Sequence, residues 1–173
     1  MQKTVIVING AGGVGKDTLC KMAENHYAVK NISSIDPIKA IAAQTGWKGE
    51  KTDKARKFLA DLKQLTIAYN DYPLNWLKEQ YELFLKSEYD ILFVHIREPK
   101  EIAKFVEAIP GRVLTLLVRG GKNFVASRGG KEYGNAADDE VEQYTYDYYF
   151  LNDHPLSETD DLFYACLKEM LGE

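Results

Sequence analysis

Only two cysteines occur in the chain, Cys20 and Cys166, and neither belongs to a CxxC pair or stands beside a histidine cluster. Nothing therefore suggests a thiolate metal centre or a disulfide framework, and both read as structural thiols. Long hydrophobic runs are missing too. No stretch approaches the roughly 18 apolar residues that a membrane span requires, so no membrane partner is expected. Positive charge is not in excess: the formal net charge is −4. That balance argues against a nucleic acid or an anionic surface held by bulk electrostatics, so any anionic substrate has to be captured by local groups. Prolines number only five, and there is no internal repeat and no linker-like segment. The opening Met1-Gln2-Lys3-Thr4 leads directly into an apolar run, so no signal peptide is expected and the location reads as cytoplasmic. With 173 residues, 45% of them hydrophobic, the chain suffices for one cored domain spanning 1–173.

What is present begins at residue 5. Val5-Ile6-Val7-Ile8 is a β-branched run of the kind buried on both faces of a parallel sheet. It enters Gly10-Ala11-Gly12-Gly13-Val14-Gly15-Lys16-Asp17-Thr18, with Gly10 and Gly15 five apart, a lysine, and then a helical pattern. This is the composition of a phosphate-cradling loop. Backbone N–H groups surround phosphate oxygens, the helix N-terminus favours negative charge, and Lys16 neutralises the β- and γ-phosphates. The common motif carries a hydroxyl directly after the lysine to hold Mg²⁺; here Asp17 occupies that position and Thr18 follows. Asp17 and Thr18 are the candidate metal-side residues, directly or through water. As a bland alternative, Asp17 is a first-turn acid that suits the helix dipole.

The pattern predicts a helix over 16–27, a strand over 31–35 and a helix opened by Asp36-Pro37 that stops near Gly46. A second helix opens at Asp53, with Ala55, Phe58, Leu59, Leu62, Leu65 and Ile67 read as its packed side. Tyr72-Pro73 breaks it, and a third helix covers 75–86. Strands follow at 91–94, running out through His95-Ile96-Arg97, and at 112–118, ending at Arg119. A helix headed by Pro99 lies between them. The stretch 120–135 carries Lys122, Arg128 and Lys131 with little apolar content, which suits a functional loop. A short acidic helix at 138–144, a last strand at 146–151 burying tyrosines on both faces, and a helix capped by Ser157 complete the chain. Strands alternating with helices predict an α/β class with a parallel sheet. Helices 37–86 exceed a simple crossover and are expected to form a region closing over a second substrate.

Ligands in open α/β sheets sit beyond the carboxyl ends of the strands. The residues leaving those ends are the glycine-rich loop, Asp36, His95 to Arg97, Arg119 and Asn152-Asp153. Phosphoryl transfer needs positive charge around the moving group, a metal, and an acceptor placed in line. Lys16, Arg97, Arg119 and Arg128 are the candidate catalytic cations. Trp47 and Trp76 could stack on a base, though aromatic residues in helices more often serve the core. A regulatory GTP switch is disfavoured, because no Asn-Lys-x-Asp segment and no Asp-x-x-Gly after the third strand occur.

Four segments in order, Gly15-Lys16-Asp17-Thr18, Asp36-Pro37-Ile38-Lys39, Arg56-Lys57-Phe58-Leu59 and His95-Ile96-Arg97-Glu98-Pro99-Lys100-Glu101, resemble the deoxynucleoside monophosphate kinases. Tyr146 to Asp153 is similar to the last strand of that group and of its nucleoside monophosphate and dephospho-coenzyme A kinase relatives. The resemblance implies an adenylate-kinase-like, three-layer P-loop kinase fold around a central parallel five-stranded sheet. It also implies Mg²⁺-dependent transfer of the γ-phosphoryl of ATP to a nucleoside 5′-monophosphate, by a monomer or homodimer. On that basis ATP is held by Gly10, Gly12, Gly13, Val14, Gly15, Lys16, Asp17, Thr18 and Asn152. The acceptor is held by Asp36, Lys39, Arg56 and Arg97, the 37–86 helices form the monophosphate-binding region, and 120–135 is the lid. Relatives tend to place an acid two residues before the strand-end arginine; here it is His95. Another small acceptor, such as dephospho-coenzyme A or phosphomevalonate, and nucleotide binding without turnover remain open.

Overall fold

The computed structural model describes residues 1–121 and 140–173. Five strands form one all-parallel sheet: β1 (Thr4–Asn9), β2 (Val29–Ser33), β3 (Ile91–His95), β4 (Val113–Gly120) and β5 (Tyr148–Asn152), in the order β2-β3-β1-β4-β5. β1 pairs with β3 on one side and β4 on the other, bringing Ile8 level with both His95 and Leu116. All five carboxyl ends therefore emerge along one edge, and the chain leaves β1 where the connections diverge to either side, the usual place for a ligand crevice.

Six helices are described: α1 (Lys16–Ala23), α2 (Asp36–Gln44), α3 (Asp53–Asn70), α4 (Tyr72–Leu85), α5 (Pro99–Ala108) and α6 (Leu156–Leu171). The pleat of β1 assigns them to layers, since alternate side chains point to opposite faces. Val5 and Val7 pack with Leu77, Tyr81 and Phe84 of α4 and Ile102 and Phe105 of α5. Ile6 and Ile8 pack with Leu19 and Ala23 of α1 and Phe163, Leu167 and Met170 of α6. Each fully buried Leu, Ile or Phe contributes about 1.5–3 kcal/mol, so the two cores hold β1 and its outgoing loop firmly from both sides.

Several sequence-based boundaries shift, for local reasons. The first helix ends at Ala23, and β2 starts two residues earlier and ends at Ser33. Asp71, at φ 53°, terminates α3 and also precedes α4, so Pro73 sits in the first turn of α4 and does more than break a helix. Ser157 makes no cap; Pro155 holds that position, and its carbonyl accepts from Thr159 Oγ1 at 3.0 Å. Of the acidic helix expected at 138–144, the described portion is a 3-10 turn, Val141–Gln143, and Asp138 and Asp139 lie outside the described residues. The last strand begins at Tyr148 and is an edge strand, so Tyr149 is 46% exposed and only Tyr146, ahead of the strand, is deeply buried.

The largest correction concerns α3. Its apolar period was expected to face the core, yet Leu65 is 68% exposed and Phe58 38%, and the one buried residue of α3 is Lys63. No helix among the described residues is long and apolar enough to cross a membrane.

Candidate functional site

The glycine-rich loop is fixed by its own backbone and by two buried asparagines. Gly13 and Gly15 adopt φ 80° and 91°, left-handed values that favour glycine, and Gly15 serves as the N-cap of α1. At Gly10 the constraint is space: a Cβ would lie 2.5 Å from the Val118 carbonyl oxygen. Asn9, 1% exposed, accepts from the Gly10 N–H at 2.9 Å and donates to the Arg97 carbonyl at 3.0 Å and to Tyr146 Oη at 2.9 Å. Tyr146 in turn donates to the Val141 carbonyl at 2.8 Å, and burial pushes its phenol up to about 12, so it stays a donor. Asn152 donates to the Val14 carbonyl at 2.8 Å, pinning the loop's far side to the end of β5. Lys16 reaches back to the Gly10 carbonyl at 2.6 Å, which places its ammonium inside the loop.

Beyond the loop lies an open cleft of about 860 Å³. Its walls are the loop itself, the ends of β2 and β3, the start of α2, and one face of α3. Most of the residues singled out from the sequence meet there: Gly12, Gly13, Val14, Gly15, Lys16, Asp17, Thr18, Asp36, Lys39, Arg56 and Arg97 all line it. Arg56, Arg97 and Lys39 have no acidic side-chain partner among the described residues, whereas Asp36 is engaged. Its carboxylate accepts from the Ser33 N–H at 2.8 Å and so fixes the β2–α2 turn; Ile35, not Asp36, occupies the helix N-cap.

His95 also lines the cleft. Its Nε2 lies 3.4 Å from Asn31 Oδ1 and 3.8 Å from the buried Cys20 Sγ. Burial lowers its pKa, opposed by the Asp17 carboxylate, so the ring is neutral at pH 7 and acts as a hydrogen-bonding group at the strand end. Burial likewise raises the Cys20 thiol, which rules it out as a thiolate at neutral pH.

Not every expected residue lines the cleft: Gly10, Arg119 and Asn152 do not, and Arg128 is not among the described residues. Arg119 forms a bidentate pair with Glu142 (3.0 and 2.8 Å), lies over the Tyr149 ring, and is not among the cleft-lining residues. Of the lid expected over 120–135, residues 122–135, Arg128 among them, lie outside the described residues. Asn152 meets the loop backbone and does not line the cleft. Trp47 and Trp76 are also absent from the lining; Trp76 packs on the core and Trp47 donates to the Glu50 carbonyl.

Conversely, the structure brings in residues that local patterns do not flag. Asn9 joins groups 88 and 137 positions away. Lys63, Ser34 and Glu98 form a contact set on the cleft wall, with Lys63 donating to Ser34 Oγ at 3.1 Å and to Glu98 Oε2 at 2.9 Å. The sole sequence signal for Lys63 is its spacing of seven from Arg56 on one helix.

Metal chemistry is tested by the donor set. Among the described residues no group of three or more His, Cys, Asp or Glu could cage an ion. The exposed Asp17 and Thr18 oxygens at the start of α1 offer hard ligands beside the glycine-rich loop. That combination fits Mg²⁺, which keeps several waters and is held by one or two protein oxygens together with substrate phosphates.

No family model matches the chain, and no curated protein sequence matches it significantly. Solved structures do. The Deinococcus radiodurans tunicamycin resistance protein superposes with a TM-score of 0.61 at 14% identity, covering 99% of this chain and 96% of that one. A sugar kinase from Janibacter sp. HTCC2649 gives 0.53 at 17% identity over 98% and 95%. Mycobacterium tuberculosis APS kinase, solved with AMPPNP and APS, gives 0.50 at 13% over 99% and 99%. At these identities the likeness is one of fold alone, the α/β architecture around a central parallel five-stranded sheet.

Proposed function

We propose that the protein transfers the γ-phosphoryl group of ATP to a small anionic acceptor, and that the acceptor is a nucleoside 5′-monophosphate, with a deoxynucleoside monophosphate favoured by the resemblance of its motifs. One observation carries the reading. A single cleft joins the glycine-rich loop to three cations, Lys39, Arg56 and Arg97, contributed by the strand ends and inserted helices and without acidic partners among the described residues. A hydrolase or a switch needs the loop alone; a second cluster of cations across the same cleft suits a second anion. The fold shared with sugar and APS kinases supports small-molecule phosphoryl transfer as the general chemistry.

In this reading the loop N–H groups and Lys16 bind the β- and γ-phosphates, and the dipole of α1 favours their charge. Asp17 and Thr18 would hold Mg²⁺, which when bound supplies charge neutralisation between the phosphates. Arg97 and Arg56 orient the acceptor phosphate, already ionised at neutral pH, so no strong general base is required and a neutral His95 is compatible with turnover. Asn9 keeps the loop and the Arg97 backbone in one register, so donor and acceptor sites are positioned together. Arg128, in 120–135, is proposed to close over the transferred group and exclude water. Arg119, paired with Glu142 at the foot of that segment, is proposed as a lid anchor. The whole chain is proposed to act as one unit.

The test is ADP release from purified protein with Mg·ATP across the common ribo- and deoxyribonucleoside monophosphates. Turnover with at least one, well above the rate without acceptor, is expected. No turnover with any of them would remove this acceptor class and leave another small acceptor, of the dephospho-coenzyme A or phosphomevalonate kind, as the alternative.

A further inference from the structure

The only buried residue of the long helix α3 is charged: Lys63, 6% exposed, joined to Ser34 and Glu98 on the cleft wall. Packing does not account for this choice. A buried ion pair contributes little net stability, and a well-packed apolar side chain of similar volume often does as well or better. The pair also differs electrically from its neighbours. Glu98 offsets the charge of Lys63, while Arg56, Lys39 and Arg97 carry no such partner among the described residues. Phosphate is better served by those cations. A neutral pair suits an uncharged polar group.

Hydrogen-bonding capacity points the same way. An ammonium has three N–H donors, and Ser34 and Glu98 engage two of those of Lys63; a carboxylate has two oxygens, and Lys63 engages one of those of Glu98. Among the described residues this leaves one N–H of Lys63 and one oxygen of Glu98 unengaged, on two residues that both line the cleft.

The face of α3 completes the geometry. Arg56, Leu59, Ala60 and Lys63 all line the cleft, at i, i+3, i+4 and i+7. At 1.5 Å per residue the first and last are roughly 10 Å apart. A molecule lying along this face meets a cation, then apolar surface from Leu59 and Ala60, then the neutral donor–acceptor pair. Its complement has an anionic end, a flat apolar body, and an uncharged edge with an acceptor beside a donor.

We infer that Ser34, Lys63 and Glu98 form a specificity subsite for the uncharged hydrogen-bonding edge of the acceptor, the base edge if the acceptor is a nucleotide, with Lys63 donating to it and Glu98 accepting from it. This rests on the acceptor reading given above. The subsite divides labour in the cleft: cations hold the phosphate, and the ion pair selects what is attached to it.

The experiment compares calorimetric binding of nucleoside 5′-monophosphates with that of ribose 5-phosphate, which keeps the phosphate and sugar but has no base. The wild type is expected to bind its preferred nucleotide at least tenfold more tightly than ribose 5-phosphate. In Lys63→Met that preference shrinks by about tenfold or more, the equivalent of a hydrogen bond to a charged group, while ribose 5-phosphate affinity stays within about twofold. Glu98→Gln, which exchanges an acceptor for an amide and leaves Lys63 in place, is expected to change which base is preferred. It also serves if Lys63→Met does not fold. An undiminished preference in both variants overturns the subsite. Equal loss of nucleotide and ribose 5-phosphate affinity also overturns it, because a structural or phosphate-binding lysine behaves that way. A wild type that binds ribose 5-phosphate as well as every nucleotide removes the nucleotide reading, and the subsite with it.

Discussion

Replacing Asn9 by leucine probes how the donor loop and the acceptor side are coupled. The side chain is 1% exposed and makes three bonds, with the Gly10 N–H, the Arg97 carbonyl and Tyr146 Oη. Leucine fills a similar volume but leaves the Gly10 N–H and the Arg97 carbonyl without that partner; Tyr146 keeps its bond to Val141. Each buried group left unsatisfied costs about 1–3 kcal/mol, so the pair costs about 2–6 kcal/mol. At roughly 2–4 °C per kcal/mol for a chain of this size, Tm falls by about 4–24 °C. Tyr146→Phe removes the hydroxyl, leaves Asn9 two of its bonds but takes the donor from the Val141 carbonyl, and costs about 1–3 kcal/mol. The double variant costs less than the sum, since the Asn9–Tyr146 bond is lost in either single change. Thermal and urea unfolding of the four proteins measure this cycle, and turnover should fall with Asn9→Leu because the loop and Arg97 lose a common register. A Tm within about 2 °C of wild type for Asn9→Leu, or strict additivity in the cycle, would refute the coupling.

Other expectations are simpler. Burial holds the pKa of His95 below its ordinary 6.5, so the unfolded chain binds the proton more readily; this group's contribution to stability is complete above pH 6.5 and declines as pH falls through that value toward the folded pKa, a slope that His95→Gln should flatten in unfolding titrations. Gly10→Ala drives a Cβ to 2.5 Å from the Val118 carbonyl oxygen, and should weaken ATP binding by displacing the loop, as read by nucleotide titration. Leu65→Gln, at a site 68% exposed, should change stability by no more than about 0.5 kcal/mol, whereas a core-facing leucine would cost about 2–5 kcal/mol.

The parts of the molecule that rest on short-range physics were legible in the residues. Val5 to Ile8 followed by glycines five apart dictates a buried strand and a tight loop into α1 with left-handed glycines, and the alternation of strands with helices dictates the parallel sheet. The side chains that tie these parts together were not legible, because their partners lie far away in the chain. Asn9 and Asn152 find partners 137 and 138 positions away, and no local pattern distinguishes such asparagines from exposed ones. On α3 the apolar period was misleading for a physical reason. The helix forms a cleft wall, and the side it turns inward carries Arg56 and Lys63, leaving Phe58 and Leu65 facing solvent. Arg119 was grouped with the cleft because it follows a core strand, but Glu142 and Tyr149 lie beside it on the edge of the sheet and engage its guanidinium.

The claim that one cleft holds a phosphoryl donor and an anionic acceptor is tested most directly by phosphorus NMR of the full chain with Mg·ATP and a nucleoside monophosphate mixture, wild type against Lys16→Ala. ADP and a nucleoside diphosphate are expected in equal amounts with the wild type, and neither with the folded Lys16→Ala protein. ADP appearing with free phosphate and no phosphorylated acceptor, or full transfer by Lys16→Ala, would contradict it.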